Sequence, residues 1–384
     1  MRWKVDSEAG VVTQNLQRRC GSRTDGDDWN IYWANVGTVK QIFHPESGQR
    51  LTDSQLINHF PNHYELTRKD LMVKNIKRYL RDKEVPDFVP TTYMLPADYS
   101  LFVEEFRKNP RAVWIMKPAN AAQGRGIFII NKLAQIKRWS NGRWASMPLK
   151  EAYVISRYVE HPLLVGGKKF DLRLYVLVTS YRPLRVYQYA HGFARFCNAK
   201  YNSQVSELNN PFIHLTNVAI QKHNDDYNVN HGGKWNVQHV KLFIEATWGF
   251  EAARKLFDDI DKIIIHSLKA VQSTVINDRH CFECYGYDIL IDANLKPWLV
   301  EVNASPSLST TTRSDRLMKM ALIRDVLQIV VPKDIHNFKG AFHLGPCEDT
   351  GAFLVLYDEA LETQAYKQSP PPGPGVSSSS QQDP

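Results

Sequence analysis

The chain has 384 residues, of which 43% are hydrophobic and 23% are charged. This composition excludes a short peptide or a disordered segment, and it provides apolar residues for two or three domains with cores. Lysine and arginine number 48 against 40 aspartate and glutamate residues, a net charge of +8, which favours an acidic partner or a phosphate-bearing ligand.

Several classes of partner and location are disfavoured. There is no RNP, zinc-finger or helix-turn-helix signature, so we expect no nucleic-acid partner. The first ten residues, MRWKVDSEAG, do not form a secretory signal, and no run is long and apolar enough to span a membrane. We therefore expect a soluble intracellular protein with reduced thiols. Cys281 and Cys284 form a lone CxxC beside His280, for which buried packing is a better interpretation than zinc binding.

Residues 1–70 predict a small mixed domain rich in aromatic side chains. Thr67 then offers an N-cap and Asp70 a third helical position, and apolar residues recur at helical spacing from Met72 onwards. Basic side chains crowd this helix. They form either a solvated face or the edge of a phosphate or acidic-peptide site, and Lys74 is the residue that we select for the second alternative.

The next stretch predicts a phosphate grip. LFVEEFRKNP is typical of a short helix that ends before Pro110, and residues 112–130 form two apolar β runs around a loop of small residues. Lys117 can reach phosphate oxygens while Gly124 and Gly126 let backbone N–H groups close over them. The loop is neither a Walker loop nor a Rossmann turn, and a plain hairpin turn is the alternative.

A second set of polar residues follows on predicted strands. The backbone of residues 156–159 lies at the end of a buried strand, where it can hold an adenine. Lys169, Asp171 and Arg173 then alternate, so a period of two places all three on one face of a strand. Such a row is usually solvated. Two cations and one acid near a phosphate grip instead favour ribose and γ-phosphate contacts.

Further along, the strand VYQYAHGFARF continues the sheet and reaches Arg195. The segment FIHLTNVAIQK carries His214, with small polar residues beside it, although a buried structural histidine explains the pattern equally well. Apolar spacing predicts a long helical region at about 237–276. From about residue 368 the sequence is rich in proline and serine, which predicts disorder.

Residues 285–307, YGYDILIDANLKPWLVEVNASPS, predict a β-hairpin, because two apolar runs flank a polar segment. A turn centred between Asn294 and Leu295 would place Asp288 opposite Glu301.

The same pairing puts Asn303 on the face of the two carboxylates. These oxygens would repel each other unless a cation neutralised them, and hard oxygen ligands suit Mg²⁺ that carries a nucleotide. For the hairpin alone, polar side chains on a solvent-exposed face are an equally good interpretation. The upstream cations decide in favour of the metal.

The motifs MKPANAAQGRGI, KKFDLRLYVLV, GFARF, HLTN, GYDILID and LVEVNASPSL occur in this order. Together they resemble the tubulin-tyrosine-ligase-like family of the ATP-grasp superfamily over about residues 29–331, and most of all its short tubulin polyglutamylases. The resemblance implies an α+β ATP-grasp fold with N-terminal, central and C-terminal α/β lobes, and with ATP between the central and C-terminal sheets. The corresponding divisions are 1–70, 71–158, 159–340 and a tail at 341–384.

The resemblance also implies an ATP site. Its members share a polar side chain or backbone group directed at the nucleotide, and they are Lys74, Lys117, Gln123, Gly124, Ser156, Arg157, Tyr158, Val159, Lys169, Asp171, Arg173, Arg195, His214, Leu215, Thr216 and Asn217. Mg²⁺ would be held by Asp288, Glu301 and Asn303. The groups that act in catalysis would be Arg173, Arg195 and Glu301.

The activity that the resemblance implies is ATP- and Mg²⁺-dependent addition of free L-glutamate to glutamate side chains in tubulin tails, through an acyl-phosphate. Acidic tails agree with the net charge of +8. Glycine or tyrosine is the alternative amino acid, and a non-catalytic microtubule-binding module with a structural ATP site is the alternative class. The short tail predicts non-catalytic partner subunits. The expected location is the cytoplasm and cytoskeleton, including the cilium axoneme and basal body.

Overall fold

The computed structural model describes residues 1–8, 10–119, 124–140, 152–204, 207–224, 233–331, 342 and 344–368. Helices and strands are mixed along the chain, and the strands form several sheets. The prediction of a mixed α and β fold is therefore confirmed. Within the described residues, no helix is both long enough and apolar enough to cross a membrane.

The first part of the chain forms a parallel sheet with strand order β2-β1-β3-β4. The helices of this part precede and follow its strands. Its elements are β1 (Arg2–Val5), α1 (Gly10–Cys20), β2 (Ser22–Arg23), β3 (Ile31–Trp33), α2 (Val36–Ile42), a 3₁₀ helix (Pro45–Ser47), β4 (Leu56–Ile57), α3 (Tyr64–Thr67) and α4 (Lys69–Leu80).

The start of α4 differs from the prediction. Thr67 belongs to the short helix α3, and its hydroxyl donates to the carbonyl of His63 at 3.2 Å instead of capping α4. Arg68 is the residue before α4, and its guanidinium donates to the carboxylate of Asp70 at 3.0 and 2.6 Å. The predicted N-cap was wrong by one residue because α3 takes up Thr67.

The central part is an antiparallel sheet with strand order β5-β8-β6-β7. Phe102, Trp114 and Ile136 are buried together in its core. The helix predicted before Pro110 is present as α5. The elements are β5 (Thr92–Leu95), α5 (Tyr99–Lys108), β6 (Trp114–Pro118), β7 (Phe128–Ile130), α6 (Leu133–Ser140) and β8 (Tyr153–Arg157).

The third part is a larger sheet built around the long strand β10, with helices packed on it. Its elements are β9 (Leu164–Val165), β10 (Lys168–Tyr181), β11 (Leu184–Tyr189), β12 (Phe193–Phe196), α7 (Pro211–His214), α8 (Val218–Gln221), β13 (Lys234–Asn236), α9 (Val237–Trp248), α10 (Phe250–Gln272), β14 (Glu283–Ile291), β15 (Pro297–Asn303), α11 (Arg313–Val330), β16 (Phe353–Asp358) and α12 (Glu359–Gln368).

The length of β10 determines the order of this sheet. One edge of β10 pairs first with β12 and then with β11, and its other edge pairs with β14, which pairs with β15. The strands β13 and β16 continue the sheet from β12 and β11. Residues that were assigned to a tail thus contribute a strand. The residues after 368, where disorder was predicted, lie outside the described residues.

The two faces of β10 have different surroundings, because successive side chains point to opposite faces. Leu172 and Leu174 belong to an apolar core that includes Ile260 of α10. The opposite face carries Tyr175 and Leu177, which pack in a core with residues of α1 and α11. On that second face, the first part of β10 carries charged side chains instead. The predicted alternation is confirmed. On this face, charged side chains occupy the first part of β10, and apolar side chains of the second core occupy the part that follows.

The long helical region predicted at about 237–276 is divided in two. Helix α9 ends at Trp248 and α10 begins at Phe250. Gly249 between them has a φ of 91°, which L side chains rarely adopt and which interrupts the helix. Sequence spacing did not reveal the break, because apolar residues continue on both sides of it.

Candidate functional site

A cleft of about 1110 Å³ lies between the central sheet and the large sheet. Most of the predicted site residues line it, although they come from distant parts of the chain. Those in its wall are Lys117, Gly124, Ser156, Arg157, Tyr158, Val159, Lys169, Asp171, Arg195, His214, Leu215, Thr216, Asn217, Asp288 and Glu301. Gln123 lies outside the described residues.

Four buried charges of alternating sign run across three strands at the cleft. Asp171 faces Arg195 across β10 and β12, and Arg173 faces Asp288 across β10 and β14. Arg195 donates to Asp171 at 2.8 and 2.5 Å and to Asp288 at 2.8 Å. Arg173 donates to Asp288 at 2.5 and 3.0 Å. Thr216 adds a hydroxyl donor to Asp171 at 2.7 Å.

This arrangement fixes the charge state of Asp288 and of Arg195. Although burial opposes ionisation, Arg173 and Arg195 hold the pKa of the Asp288 carboxyl well below its usual value. Burial also opposes the charged form of Arg195, but Asp171 and Asp288 raise its pKa well above the usual value. Asp288 and Arg195 therefore stay charged over the physiological pH range, and they present fixed charges to the cleft.

Lys169 is held by a second set of bonds. Its Nζ donates to the hydroxyl of Tyr158 at 3.0 Å and to the carbonyl of His214 at 3.1 Å. The Tyr158 hydroxyl is 2.9 Å from Nδ1 of His214, and Nε2 of His214 is 3.0 Å from the Glu207 carbonyl. Since a carbonyl only accepts, Nε2 carries the proton and Nδ1 accepts from Tyr158.

His214 is neutral in this arrangement. Burial, and next the nearby Lys169 ammonium, lower the pKa of His214 to about 4. Burial likewise lowers the pKa of Lys169. His214 is thus a buried, neutral histidine that orients the tyrosine that binds Lys169, and because it also lines the cleft, its place in the nucleotide site stays a prediction.

The glycine-rich loop approaches the cleft where a side chain would not fit. Gly124 has a φ of 78°, and a Cβ placed on it would lie 2.5 Å from Cδ1 of Ile220 and 3.1 Å from Oδ1 of Asn217. Gly126 has a φ of 69°. At the end of β6, burial in the cleft lowers the pKa of Lys117 to about 8. Lys117 and Gly124 both line the cleft, and the phosphate grip stays a prediction.

The hairpin β14–β15 brings its two carboxylates together. Asp288 is opposite Glu301, as predicted, and Gly286 is opposite Asn303. The turn is not where it was predicted, because Ile291 is opposite Pro297, which centres the turn on Asn294.

One extra residue in β15 corrects the register. Ile289 is opposite Leu299 and Asp288 is opposite Glu301, so Val300 forms a β-bulge. Without the bulge, this turn would place Val300 opposite Asp288. The predicted pair is therefore right, but the predicted turn that led to it was wrong.

The hairpin residues fit a magnesium ion. Nδ2 of Asn303 is 3.3 Å from Oε1 of Glu301 and 3.5 Å from Oδ2 of Asp288, and a half-turn of the amide would present its oxygen instead. Among the described residues there is no group of three or more His, Cys, Asp or Glu side chains placed so that they could hold a metal ion. Two carboxylates and an amide suit Mg²⁺, which usually keeps several waters and binds phosphate oxygens of its substrate.

Lys69, rather than Lys74, reaches the cleft from α4. Lys74 is exposed and does not line the cleft, whereas Nζ of Lys69 is 3.0 Å from Oε2 of Glu301. Met72 and Val73 line the same wall. They lie three and four residues after Lys69, the spacing that places side chains on one helix face, and this signal was available in the sequence.

The chain is similar to known proteins over most of its length. The model of the tubulin-tyrosine ligase family matches residues 48–338. The chain belongs to the tubulin-tyrosine ligase family. Within it, the probable alpha-tubulin polyglutamylase Ttll1 of Tetrahymena thermophila is 53% identical over 388 aligned residues, which cover 94% of each chain.

Two further relatives show how much of the chain the family likeness covers. The probable tubulin polyglutamylase TTLL9 of Bos taurus is 43% identical over 80% of this chain and 74% of its own length. The tubulin polyglutamylase TTLL5 of Homo sapiens is 36% identical over 79% of this chain but only 24% of its own length. As a tubulin-tyrosine ligase family member, the chain is an enzyme of the ligase class.

Two predicted site residues of this ligase lie behind the cleft wall. Arg173 and Asn303 are not among the residues that line the cleft, and they contact it through Asp288 and Glu301. The backbone N–H groups of Arg157 and Tyr158 donate to the carbonyl groups of Thr91 and Val113, so these two N–H groups are already used within the protein.

The apolar wall of the cleft was not predicted from the sequence. Nothing in the sequence indicates that these apolar residues line a site, because apolar residues are equally common in the helices, strands and loops around any core. They are Met72, Val73, Val89, Pro90, Ile115, Ile127, Val154, Leu290 and Leu299. Such a surface can pack against a flat aromatic base while the charged row faces phosphates.

Proposed function

We propose that this chain is an ATP- and Mg²⁺-dependent tubulin polyglutamylase, which adds glutamate to glutamate side chains in tubulin C-terminal tails. The observation that carries the proposal is the charged row Asp171, Arg195, Asp288 and Arg173 at a cleft that also holds Lys117 and Lys169. Relatives at 53% and 43% identity are named as tubulin polyglutamylases, which supports the choice of amino acid and of substrate.

In this proposal ATP lies in the cleft between the central and the large sheet. The base packs on the apolar wall near Val159, and the phosphates face the cleft cations Lys69, Lys117 and Lys169. Asp171 has Thr216 and Arg195 as donors, which leaves acceptor capacity for a ribose hydroxyl.

Asp288, Glu301 and Asn303 would hold Mg²⁺, which would offset the negative charge of the nucleotide phosphates. Lys69 would then exchange its bond to Glu301 for one to a phosphate. Asp288 can serve both its arginines and the metal, because each carboxylate oxygen has two lone pairs.

The arrangement supplies what carboxylate phosphorylation needs. The acceptor carboxylate attacks the γ-phosphorus once it is positioned and once the charge between the two anions is reduced. Arg195 and Arg173 provide that positive charge in a fixed geometry, and they remain beside the acyl-phosphate that forms. The amine of free glutamate then displaces phosphate to make the amide bond.

Incorporation of labelled amino acids into tubulin tests this proposal. Glutamate, glycine and tyrosine are supplied separately with ATP and Mg²⁺, and we expect glutamate alone to be attached. Incorporation of glycine or tyrosine but not glutamate would replace the proposal by the corresponding ligase. Glu301→Gln should abolish ligation and leave the fold intact, whereas a non-catalytic microtubule-binding module would show no ligation in the unsubstituted chain.

We also propose that the enzyme works on the cytoskeleton, including cilia, with non-catalytic partner subunits that recruit it to microtubules. Relatives that are named as tubulin polyglutamylases support the cytoskeletal location, and the partner subunits are a prediction from the sequence. Modification of microtubules by the purified single chain at the rate of a multi-subunit preparation would contradict the need for partners.

A further inference from the structure

We propose that a second pocket beside the cleft receives the ammonium group of the incoming amino acid, and that His59, held by Glu283, accepts its proton. This inference rests on the proposed ligase function. The pocket, of about 760 Å³, lies between the first sheet, α11 and the segment after β15. We name it the Ser305 pocket after one of its lining residues. Its polar lining includes Asn35, Asn58, His59, Ser305 and Ser307.

The Ser305 pocket adjoins the charged row. Cys284 lines the pocket and Asp288 lines the cleft, and with Gly286 between them they share one face of β14. A Cβ on Gly286 would lie 2.8 Å from Cβ of Pro306 and 3.3 Å from Cδ of Arg173. Pro306 and Arg173 therefore meet above Gly286. An amine at this end of the pocket lies beside the guanidinium that we assign to the acyl-phosphate.

A buried acid and base stand at the wall of this pocket. The carboxylate of Glu283 is 2.8 Å from Nδ1 of His59, and it accepts from the Phe60 N–H at 3.1 Å and the Tyr285 hydroxyl at 3.0 Å. Because an ionised carboxylate only accepts, Nδ1 of His59 carries the proton. Nε2 then has a free lone pair, toward which the Ser305 hydroxyl is directed at 3.3 Å.

The charge of the pocket selects its ligand. Among the described residues that line it there is no lysine, arginine, aspartate or glutamate. Glu283, directly behind His59, is fully buried, and in the described part of the chain no lysine or arginine forms an ion pair with it. At the His59 end of the pocket the Glu283 carboxylate therefore favours an ammonium group and disfavours a phosphate or carboxylate.

A purely structural role explains less of this arrangement. A bond between the first sheet and β14 needs only the Phe60 N–H and an acceptor, and burying an ionised carboxylate without a lysine or arginine is costly. The carboxylate also orients the imidazole so that its basic nitrogen faces a pocket hydroxyl. Acid, imidazole and hydroxyl in this order are the arrangement by which enzymes activate a proton-bearing nucleophile.

In the proposed step the incoming ammonium group loses two protons. The ammonium group gives one proton to Ser305 Oγ, whose own proton passes to Nε2 of His59, and Glu283 stabilises the imidazolium. The free amine attacks the acyl carbon, so that a C–N bond forms and the C–O bond to phosphate breaks. The second proton of the amine leaves with the phosphate, and His59 returns its proton to solvent.

Hydroxylamine makes it possible to measure formation of the acyl-phosphate independently of deprotonation of the incoming amine. It is mostly uncharged near neutral pH, so it traps an acyl-phosphate as a hydroxamate without a base. His59→Asn keeps an N–H donor toward Glu283 but has no basic nitrogen. With tubulin, ATP and Mg²⁺, we expect this variant to lose about 10²- to 10⁴-fold in glutamate attachment while hydroxamate forms at the unsubstituted rate.

His63→Asn is the matched control. The His63 ring lies 5.5 Å from that of His59, but its Nδ1 is bonded to Thr67 rather than to Glu283. We expect both reactions at the unsubstituted rate. Ser305→Ala, which leaves Glu283 and His59 bonded, should lower glutamate attachment and spare hydroxamate formation, and it serves as a second test if His59→Asn folds poorly.

The outcomes are distinct. Unchanged glutamate attachment in both His59→Asn and Ser305→Ala would overturn the inference, and so would equal loss of both reactions in both variants. If the unsubstituted enzyme forms neither product on tubulin, or forms hydroxamate but never attaches glutamate, the proposed polyglutamylase function fails instead.

Discussion

Arg195 and Asp288 are bonded at 2.8 Å although their strands, β12 and β14, are separated by β10. The guanidinium spans the intervening strand and also binds Asp171 through two of its nitrogens. Only arginine combines this reach with a planar fork of donors, since a lysine is a single point charge. One side chain therefore fixes two carboxylates that the proposed reaction uses.

Arg195→Gln should damage both stability and activity. It leaves Asp171 and Asp288 buried with less positive charge, which costs about 3–5 kcal/mol in the free energy of unfolding. Removing one preorganised charge from the reacting phosphate should also lower the single-turnover ligation rate by about 10²- to 10³-fold. Urea unfolding and rapid-quench ligation measure the two effects.

Arg185→Gln is the control for this prediction. Arg185 is buried in the same sheet and donates to Asp358 at 2.7 Å, far from the cleft. We expect a comparable loss of unfolding free energy and no change in the ligation rate of the folded fraction. Equal ligation rates in the two variants would show that Arg195 has only a structural role.

The charged row shows how far the sequence could predict the site. The alternation of Lys169, Asp171 and Arg173 follows from the local geometry of one strand, so it was predictable. The pairing of Asp171 with Arg195 and of Arg173 with Asp288 depends on the register of three strands. Register was accessible only for the hairpin, where chain connectivity limits the choices.

In the hairpin, the pairing of Asp288 with Glu301 was predicted correctly although the predicted turn centre was wrong and no bulge was predicted. The turn is centred on Asn294, half a residue from the prediction, and the bulge at Val300 restores the pairing of Asp288 with Glu301. A bulge reflects the packing of the whole sheet, and no residue in this run signals it. The start of α4 was misjudged for a similar reason, because a short helix before it uses Thr67.

The second prediction concerns helix α4, from which Lys69, rather than Lys74, reaches the cleft. Lys69→Met should weaken binding of a non-hydrolysable ATP analogue with Mg²⁺ by about 1.5–3 kcal/mol, the value of a charge-assisted hydrogen bond. Lys74→Met, on the exposed face of the same helix, should bind the analogue as the unsubstituted chain does. Isothermal titration calorimetry decides between them, and the reverse pattern would restore the original assignment of Lys74.

The glycine-rich loop can be tested by adding one methyl group. Gly124→Ala should cost about 1–2 kcal/mol in unfolding free energy, because its φ of 78° suits only glycine well. It should also weaken ATP binding, since the new Cβ would lie 2.5 Å from Cδ1 of Ile220 and push the loop outward. Denaturant unfolding and ATP titration give the two values.

Gly48→Ala provides the comparison for that prediction. Gly48 has a similar φ of 66°, but a Cβ there would meet nothing within 4 Å. We expect a similar loss of unfolding free energy and no effect on ATP binding. If Gly124→Ala binds ATP as tightly as Gly48→Ala does, the loop does not close over the nucleotide.

The lowered pKa of Lys117 predicts opposite pH trends for stability and for ATP affinity. Burial lowers the pKa of this lysine from 10.5 to about 8 in the folded chain. Between these values the unfolded chain binds more protons at this position, so its contribution to the free energy of unfolding increases as pH rises from about 8 to 10.5. Below about pH 8 the contribution is constant, because both states are protonated.

ATP affinity should change in the other direction. Phosphate needs the protonated ammonium, so the Kd for ATP should increase above about pH 8, approaching about tenfold per pH unit. Lys169, Lys69, Asp288 and Glu301 are the other charged groups near Lys117, so Lys117→Met is required to assign the change. We expect this variant to bind ATP more weakly and to lose the inflection near pH 8. An inflection that persists in Lys117→Met would assign the titration to another group.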